Sequence, residues 1–193
     1  LASPNQVVTL ALPADVCWLE APGGPVAAIA PPAPKAVDAA TLDQIAAALA
    51  KPGAVLLLGG RALRERPLIA AARVAAATGA KLMAETFPTR EERGAGLPRV
   101  ERVAYLAEFA QMQLAGAEAL VALDAAAPVS FFAYPDKASV LTAEGSEVVV
   151  VDQAHDPSEV LEALVDHMNA PTDYEVAPAP APYVDPNPYV PPV

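Results

Sequence analysis

Short runs of apolar residues alternate with amphipathic stretches along most of the chain. The central run, residues 54–58, contains no polar side chain and is followed directly by Gly59 and Gly60. A short continuous apolar run predicts a strand that is covered on both faces, as in a parallel sheet. Further strands are predicted in the same way at residues 81–84, 118–123 and 148–151.

The segments between these runs show helical spacing of apolar residues. Helices are predicted from Thr41 to the Pro52-Gly53 pair, and over residues 68–78, 103–114 and 159–168. Strands that alternate with helices predict an α/β fold, here a doubly wound, Rossmann-like parallel sheet with helices on both faces.

Several residues mark where these helices begin and end. Thr41 and Gln44 form a capping-box pattern, which places the first helical turn after Thr41. Pro67 suits the first turn of a helix and is expected to delay the helix after the glycine pair. Gly79 is expected to end that helix in a left-handed conformation. Asp156 or Ser158 is expected to cap the last helix.

The two ends of the chain differ from this alternating core. Residues 5–12 predict a strand that closes at Pro13, and residues 20–34 are rich in proline and glycine, which predicts an extended linker. The folded core is therefore expected to begin near Val37. Residues 171–193 are again rich in proline and predict an extended linker or a wrapping arm.

Charge and composition narrow the classes of partner. The formal net charge is −11, which argues against binding to nucleic acid or to an anionic membrane surface. A single cysteine excludes an internal disulfide and favours the cytoplasm, and no apolar run approaches the ~20 residues of a membrane span. The first residue is Leu1, with no signal-peptide pattern after it, so we expect a piece of a longer protein.

The best candidate for a ligand site is the turn Gly59, Gly60 and Arg61. A glycine turn before a helix can offer backbone N–H groups to a phosphate. The alternative, a tight turn without a ligand, is favoured because two glycines are a weaker signal than a full G-x-G-x-x-G pattern. The expected delay of the helix by Pro67 argues in the same direction.

Most of the other candidate residues are expected to have structural roles. The arginine-rich loop is interpreted as an interdomain contact or a solvated ion-pair loop rather than a phosphate site, and the aromatic segment as a filled sheet edge or domain interface rather than a passage to an active site. Asp124 is expected to cap a strand end rather than bind a ribose, Cys17 and Trp18 to pack, and the two histidines to bind no metal. The loop contains Arg90, Arg93, Arg99 and Arg102; the segment contains Phe131, Phe132 and Tyr134; the histidines are His155 and His167.

Taken together, several segments resemble one enzyme family in their order and spacing. They are similar to parts of thiamine-diphosphate-dependent enzymes, in particular acetolactate synthase large subunits and, more distantly, benzoylformate decarboxylases. The matching segments are residues 6–16, 57–63, 75–88, 92–98 and 128–135, the last of which reads PVSFFAYP.

The resemblance implies a division of the chain. Residues 1–18 would be the last strand of a truncated pyrimidine-binding domain and residues 19–36 a linker. Residues 37–170 would be the whole middle domain, and residues 171–193 the linker or arm toward a diphosphate-binding domain. Those two other domains of the parent chain are the implied partners, and the parent would be a homodimer or homotetramer.

The resemblance also implies cofactors. Thiamine diphosphate and Mg²⁺ would be bound by the parent and not by this chain alone, since the family's Gly-Asp-Gly motif does not occur in the sequence. In related branches the middle domain binds FAD or ADP, which the glycine turn could do here. The implied activity is decarboxylation or carboligation of a 2-keto acid, with the isolated chain inactive. The alternatives are a stand-alone module that binds FAD, ADP or NAD, and a pure interaction domain.

Overall fold

The computed structural model describes residues 7–20, 23–133 and 135–177. A five-stranded, all-parallel sheet lies at its centre, in the order β3-β2-β1-β4-β5. The expected α/β fold is therefore confirmed. The strands are β1 Val55–Leu58, β2 Lys81–Ala84, β3 Glu101–Arg102, β4 Ala119–Leu123 and β5 Glu147–Val150. The helices are α1 Ala14–Trp18, α2 Ala39–Leu49, a 3₁₀ helix Gly60–Leu63, α3 Glu65–Thr78, α4 Ala107–Leu114 and α5 Pro157–His167.

The strand order follows from where the apolar runs are longest. β1 and β4 are buried at every position, so they occupy the middle of the sheet and pair with each other in register, Leu58 opposite Leu123. β3 and β5 lie at the edges and keep polar or exposed positions. β3 was predicted as loop, because its two residues carry no strand pattern; the free edge of β2 holds it in place.

Helices cover the two faces of the sheet unequally. α2, α3 and α5 pack on one face, around Leu56, Leu58, Val121 and Val149. On the other face, α4 packs over Val55, Leu57 and Leu120 together with loop residues such as Val103 and Leu141. Helices on both faces were expected, and among the described residues this second layer has a single helix, because no helix connects β4 to β5.

Two of the predicted helix starts were wrong because they were placed too late in the chain. α2 is capped by Asp38, whose side chain accepts from the N–H of Thr41 over 2.8 Å, so Thr41 is already inside the helix. Asp38 precedes two alanines, and this earlier start adds a helical turn. Pro67 does not delay the second helix, since α3 begins at Glu65 and proline is tolerated within a first turn.

Two other helix ends agree with the sequence patterns, and one other helix start does not. Gly79 ends α3 with φ 76°, and Asp156 caps α5 by accepting from the N–H of Ser158. The third predicted helix starts four residues later than expected, at Ala107.

The predicted strand at residues 5–12 is not observed. Residues 7–13 have no strand pairing and are exposed, and α1 follows them. A strand needs a neighbouring strand for its backbone hydrogen bonds, and no described strand lies beside this segment. The assignment of residues 1–18 to a truncated domain stays a prediction, as do the other domain boundaries.

The described parts of the two arms contact the domain through a few residues near its surface, among them Lys35 and Ala177. Residues 24–37 contain neither helix nor strand, and Lys35 joins them to the domain through the bond from its N–H to the carbonyl of Ala154. At the other end, the N–H of Ala177 donates to the carbonyl of Leu97. Residues 178–193, the rest of the predicted proline-rich arm, lie outside the described residues.

Candidate functional site at the switch point of the sheet

The order of the strands in the sheet reverses between β1 and β4. After β1 it adds β2 and β3 on one side, then returns to add β4 and β5 on the other. In open α/β sheets, ligands bind at the carboxyl ends of the strands at such a switch point. Gly59 and Gly60 follow β1, and Asp124 follows β4, so the predicted turn lies at this point.

Three consecutive backbone N–H groups of the turn are bonded within the protein. The N–H of Gly59 donates to the carbonyl of Leu123 over 3.1 Å. The N–H of Gly60 donates to Oε1 of Glu85 over 3.1 Å, and that of Arg61 to Oδ2 of Asp124 over 2.7 Å. Two carboxylates of the protein therefore occupy the positions where a phosphate would bind.

The glycines are required by the close approach of the protein's own atoms. A Cβ on Gly59 would lie 2.5 Å from the backbone oxygen of Asp124. A Cβ on Gly60 would lie 2.6 Å from Oδ2 of Asp124, and Gly60 also has φ 42°, a region that favours glycine. The space beside the turn is filled by the end of β4.

The side chain of Arg61 extends these contacts to α5. Its Nε lies 3.4 Å from Oδ2 of Asp124, and its Nη1 lies 3.5 Å from Oδ2 of Asp156. Its Nη2 donates to the carbonyl of His155 over 3.2 Å. The guanidinium thus joins the end of β4 to the start of α5.

This arrangement does not fit a nucleotide diphosphate. A phosphate at the turn would meet the carboxylates of Glu85 and Asp124, and its usual N–H donors already have acceptors. Like charges at such short range repel, so a phosphate would need to displace both carboxylates. Asp124 acts here as a strand-end cap toward Arg61, as the sequence indicated.

The arginine-rich loop forms ion pairs within itself. Arg93 and Arg102 both lie within 3.1 Å of Oε2 of Glu91, and Arg90 pairs with Glu92. Burial disfavours the charged form of Glu91 and would raise its pKa, but hydrogen bonds and charge interactions with the two arginines outweigh it and hold the pKa below its ordinary value. These contacts agree with the ion-pair alternative, and the expected interdomain role of the loop stays a prediction.

The aromatic segment joins two aromatic residues that sequence reasoning did not single out. Phe87 lies 4.9 Å from Phe131 between ring centroids, and Tyr105 lies 5.8 Å from Phe131 and 6.3 Å from Phe132. We call these four residues the aromatic patch. All four follow the carboxyl ends of parallel strands, and these ends meet at one edge of the sheet. The positions of Phe87, Phe131 and Phe132 after predicted strands could therefore have indicated from the sequence that these side chains lie together. Tyr134 lies outside the described residues.

The aromatic patch borders a cavity that is small for a cofactor. Phe87 and Phe131 line it together with Leu57, Val103 and Leu141, and its volume is about 170 Å³. Ligand pockets in proteins commonly have volumes of ~300–1,000 Å³. The side chains of Phe131 and Phe132 are about half exposed, so they do not fill a sheet edge within the described structure.

The other candidates have structural surroundings. Nδ1 of His155 lies 2.8 Å from the carbonyl of Lys35, and Nε2 of His167 lies 2.9 Å from Asp43. Cys17 and Trp18 are exposed, so the expected packing role is not seen. The short helix that carries them has no buried residue.

The described ranges contain neither a metal-binding cluster nor a membrane-spanning helix. No group of three or more His, Cys, Asp or Glu side chains in them could hold a metal ion. No helix in the same ranges is long and apolar enough to cross a membrane.

Comparison with known proteins gives a sequence relative and a shared fold. The chain is 45% identical over 181 residues to a Mycobacterium tuberculosis protein named "Putative acetolactate synthase large subunit IlvX", covering 93% of the chain. It spans about a third (35%) of that protein's length. No protein-family model matches the sequence.

Two solved structures share the fold. One is described as a "putative thiamin diphosphate-dependent enzyme" from Mycobacterium smegmatis, with a TM-score of 0.55 and 20% identity over 82% of this chain and 33% of the other. The second is the thiamine diphosphate-dependent 4-hydroxybenzoylformate decarboxylase of Rhodococcus jostii, with a TM-score of 0.55 and 15% identity over 84% and 32% of the two chains. The resemblance drawn from the sequence is therefore confirmed: the chain is a homologue of part of a protein named as an acetolactate synthase large subunit, and its fold occurs as a part of thiamine-diphosphate-dependent enzymes.

Proposed function

We propose that this chain is the middle domain of a thiamine-diphosphate-dependent 2-keto acid decarboxylase or carboligase and has a structural role there. The observation that carries the proposal is the alignment of 93% of the chain with 35% of one relative, which leaves most of that relative for other domains. Thiamine diphosphate and Mg²⁺ would be bound by the pyrimidine- and diphosphate-binding domains of the parent. A cytoplasmic parent that forms a homodimer or homotetramer is part of the same proposal.

The contacts at the switch point support a structural role for the domain. Glu85 and Asp124 bond the N–H groups that a nucleotide phosphate would need, and Arg61 links the same point to α5. We therefore propose that Gly59, Gly60 and Arg61 link the carboxyl ends of β1, β2 and β4 to one another and do not bind FAD or ADP.

The first experiment is to read the source reading frame on both sides of Leu1 and Val193. We expect an upstream domain with a glutamate that activates the thiamine ring and a downstream domain with Gly-Asp-Gly followed by Asn. The long protein should then release CO₂ from one member of a panel of 2-keto acids when thiamine diphosphate and Mg²⁺ are added, and the isolated chain should not. A frame without these domains would overturn the proposal.

The alternative, a stand-alone nucleotide-binding module, is tested by thermal shift. A ligand at 100 times its dissociation constant adds about 2.7 kcal/mol of stability, which corresponds to a rise of several degrees in Tm for a domain of this size. We expect millimolar FAD, ADP and NAD each to change Tm by less than about 1 °C. A clear rise with one of them would favour the alternative.

A further inference from the structure

One side of α4 is covered by the domain and another side is covered by nothing in the described structure. Ala110 and Leu114 are buried against the sheet. Leu106, Phe109 and Met112 follow one another at intervals of three residues and are exposed by 51%, 56% and 72%. A helix with apolar residues on more than one side is typical of a helix that is covered on more than one side.

The apolar side of α4 continues into the aromatic patch. Tyr105 and Leu106 line the same surface depression as Phe131 and Phe132, next to the start of α4. We call the aromatic patch together with Leu106, Phe109 and Met112 the α4 surface. An ion pair between Glu108 and Lys137, with 2.6 Å between Oε1 and Nζ, lies beside the same depression.

The α4 surface is large for a monomer. Its five aromatic side chains are each about half exposed, and at ~200 Å² per side chain they leave about 500 Å² uncovered before Leu106 and Met112 are counted. The largest apolar patch on a typical monomer is ~300–600 Å², and one side of a standard protein interface is ~800 Å². An apolar centre with a charged pair at its border is also the usual composition of an interface.

We propose that the α4 surface is the face on which this domain packs against another domain of the same polypeptide. The inference rests on the proposed function, because it requires the longer protein indicated by the 35% coverage of the relative. A linked domain is held at high effective concentration, so this surface alone would suffice for stable contact. A second copy of the chain is the alternative occupant, and the test below distinguishes it from a linked domain.

The test introduces Phe109→Gln and Met112→Gln together as a double substitution. Its effect on Tm is compared between the isolated chain and the long protein. In the isolated chain, Tm should change by less than about 2 °C, since both side chains are already exposed. In the long protein, Tm should fall by more than about 5 °C, because polar groups would then be buried in the interface. The control is Ala77→Gln on the exposed side of α3, which should change neither Tm.

Each other outcome overturns the inference. Equal losses of Tm in both proteins would show that the two side chains stabilise the domain itself. No loss in an active long protein would reject the α4 surface as the interface while leaving the proposed function intact. A dimer of the isolated chain in sedimentation, abolished by the double substitution, would assign the surface to a second copy. A reading frame without further domains would instead reject the proposed function.

Discussion

The backbone N–H of Arg61 donates to Oδ2 of Asp124 over 2.7 Å, and this bond joins the end of β1 to the end of β4. The two residues are 63 positions apart in the chain and meet only because β1 and β4 are neighbours in the sheet. Hydrogen bonds to a charged acceptor are stronger than neutral ones. The carboxylate of Asp124 is mostly buried, so its loss would leave buried donors without acceptors.

Asp124→Ala is expected to lower the free energy of unfolding by about 2–3 kcal/mol, because the N–H and the side chain of Arg61 lose a charged acceptor. Asp124→Asn should cost less, since asparagine keeps an acceptor oxygen and tolerates the positive φ of 50°. Urea denaturation measures both values. Asp136→Ala is the matched control, because Asp136 is exposed and has a similar φ of 59°. An equal loss at Asp136 would assign the whole effect to backbone strain.

Gly59→Ala and Gly79→Ala are expected to differ although both replace a turn glycine. At Gly59 the new Cβ would meet a backbone oxygen at 2.5 Å, a clash that costs about 3 kcal/mol when the backbone must shift. At Gly79 the Cβ has open space, and only the φ of 76° costs about 1 kcal/mol. The measurement is the free energy of unfolding of each variant. Equal losses of unfolding free energy would mean that the backbone at the end of β4 shifts at little cost and that the switch point is loosely packed.

Asp38→Ala should lower Tm by about 2–4 °C through loss of the α2 cap. Hydrogen bonds from the side chain and backbone of Thr41 hold the pKa of Asp38 below its ordinary value, so the effect should be present at neutral pH and fade as the pH falls below that value. Gln44→Ala is the control, since Gln44 would matter only if Thr41 were the cap. A fall in Tm for Gln44→Ala with none for Asp38→Ala would restore the original capping-box prediction.

Glu91→Gln should cost about 1 kcal/mol of stability at pH 7, because the ion pairs with Arg93 and Arg102 are lost. The pKa of Glu91 is lower in the folded state than its ordinary value of 4.5, so its contribution is complete above that value. It is lost as the pH falls through the lower, folded-state pKa. Unfolding curves between pH 7 and pH 3 should therefore converge for wild type and variant. A difference between wild type and variant that stays constant with pH would contradict the ion-pair role of Glu91. The control is Glu144→Gln at an exposed position, which should leave the free energy of unfolding unchanged at every pH.

Local sequence patterns were sufficient for elements whose stability is local. The apolar runs predicted β1, β2, β4 and β5 within one residue. For β1 and β4 the reason is that a strand buried on both faces has no position for a polar side chain. Gly79 was placed correctly, and Asp156 is the one of the two expected caps of α5 that is observed, because helix ends are capped by adjacent residues. Competing local signals were harder to separate, and the choice of Thr41 over Asp38 as the cap was wrong for that reason.

Elements that depend on a distant neighbour could not be predicted. β3 has two polar residues and exists only because β2 offers it an unpaired edge. Residues 5–12 have an apolar strand pattern, yet the described residues 7–12 form no strand, because no described strand lies next to them. In both cases the pairing partner, and not the segment's own sequence, determined the result.

The sequence by itself determined that the chain forms an alternating α/β sheet, that a glycine turn follows its central strand, and that the whole resembles one enzyme family. Only the tertiary structure decided what the turn contacts. The order β3-β2-β1-β4-β5 brings Glu85 and Asp124, from the two strands beside β1, onto the N–H groups of Gly60 and Arg61. A backbone donor bonds whichever acceptor the fold places within reach, and that placement depends on strand order, which the pattern of any single strand does not contain.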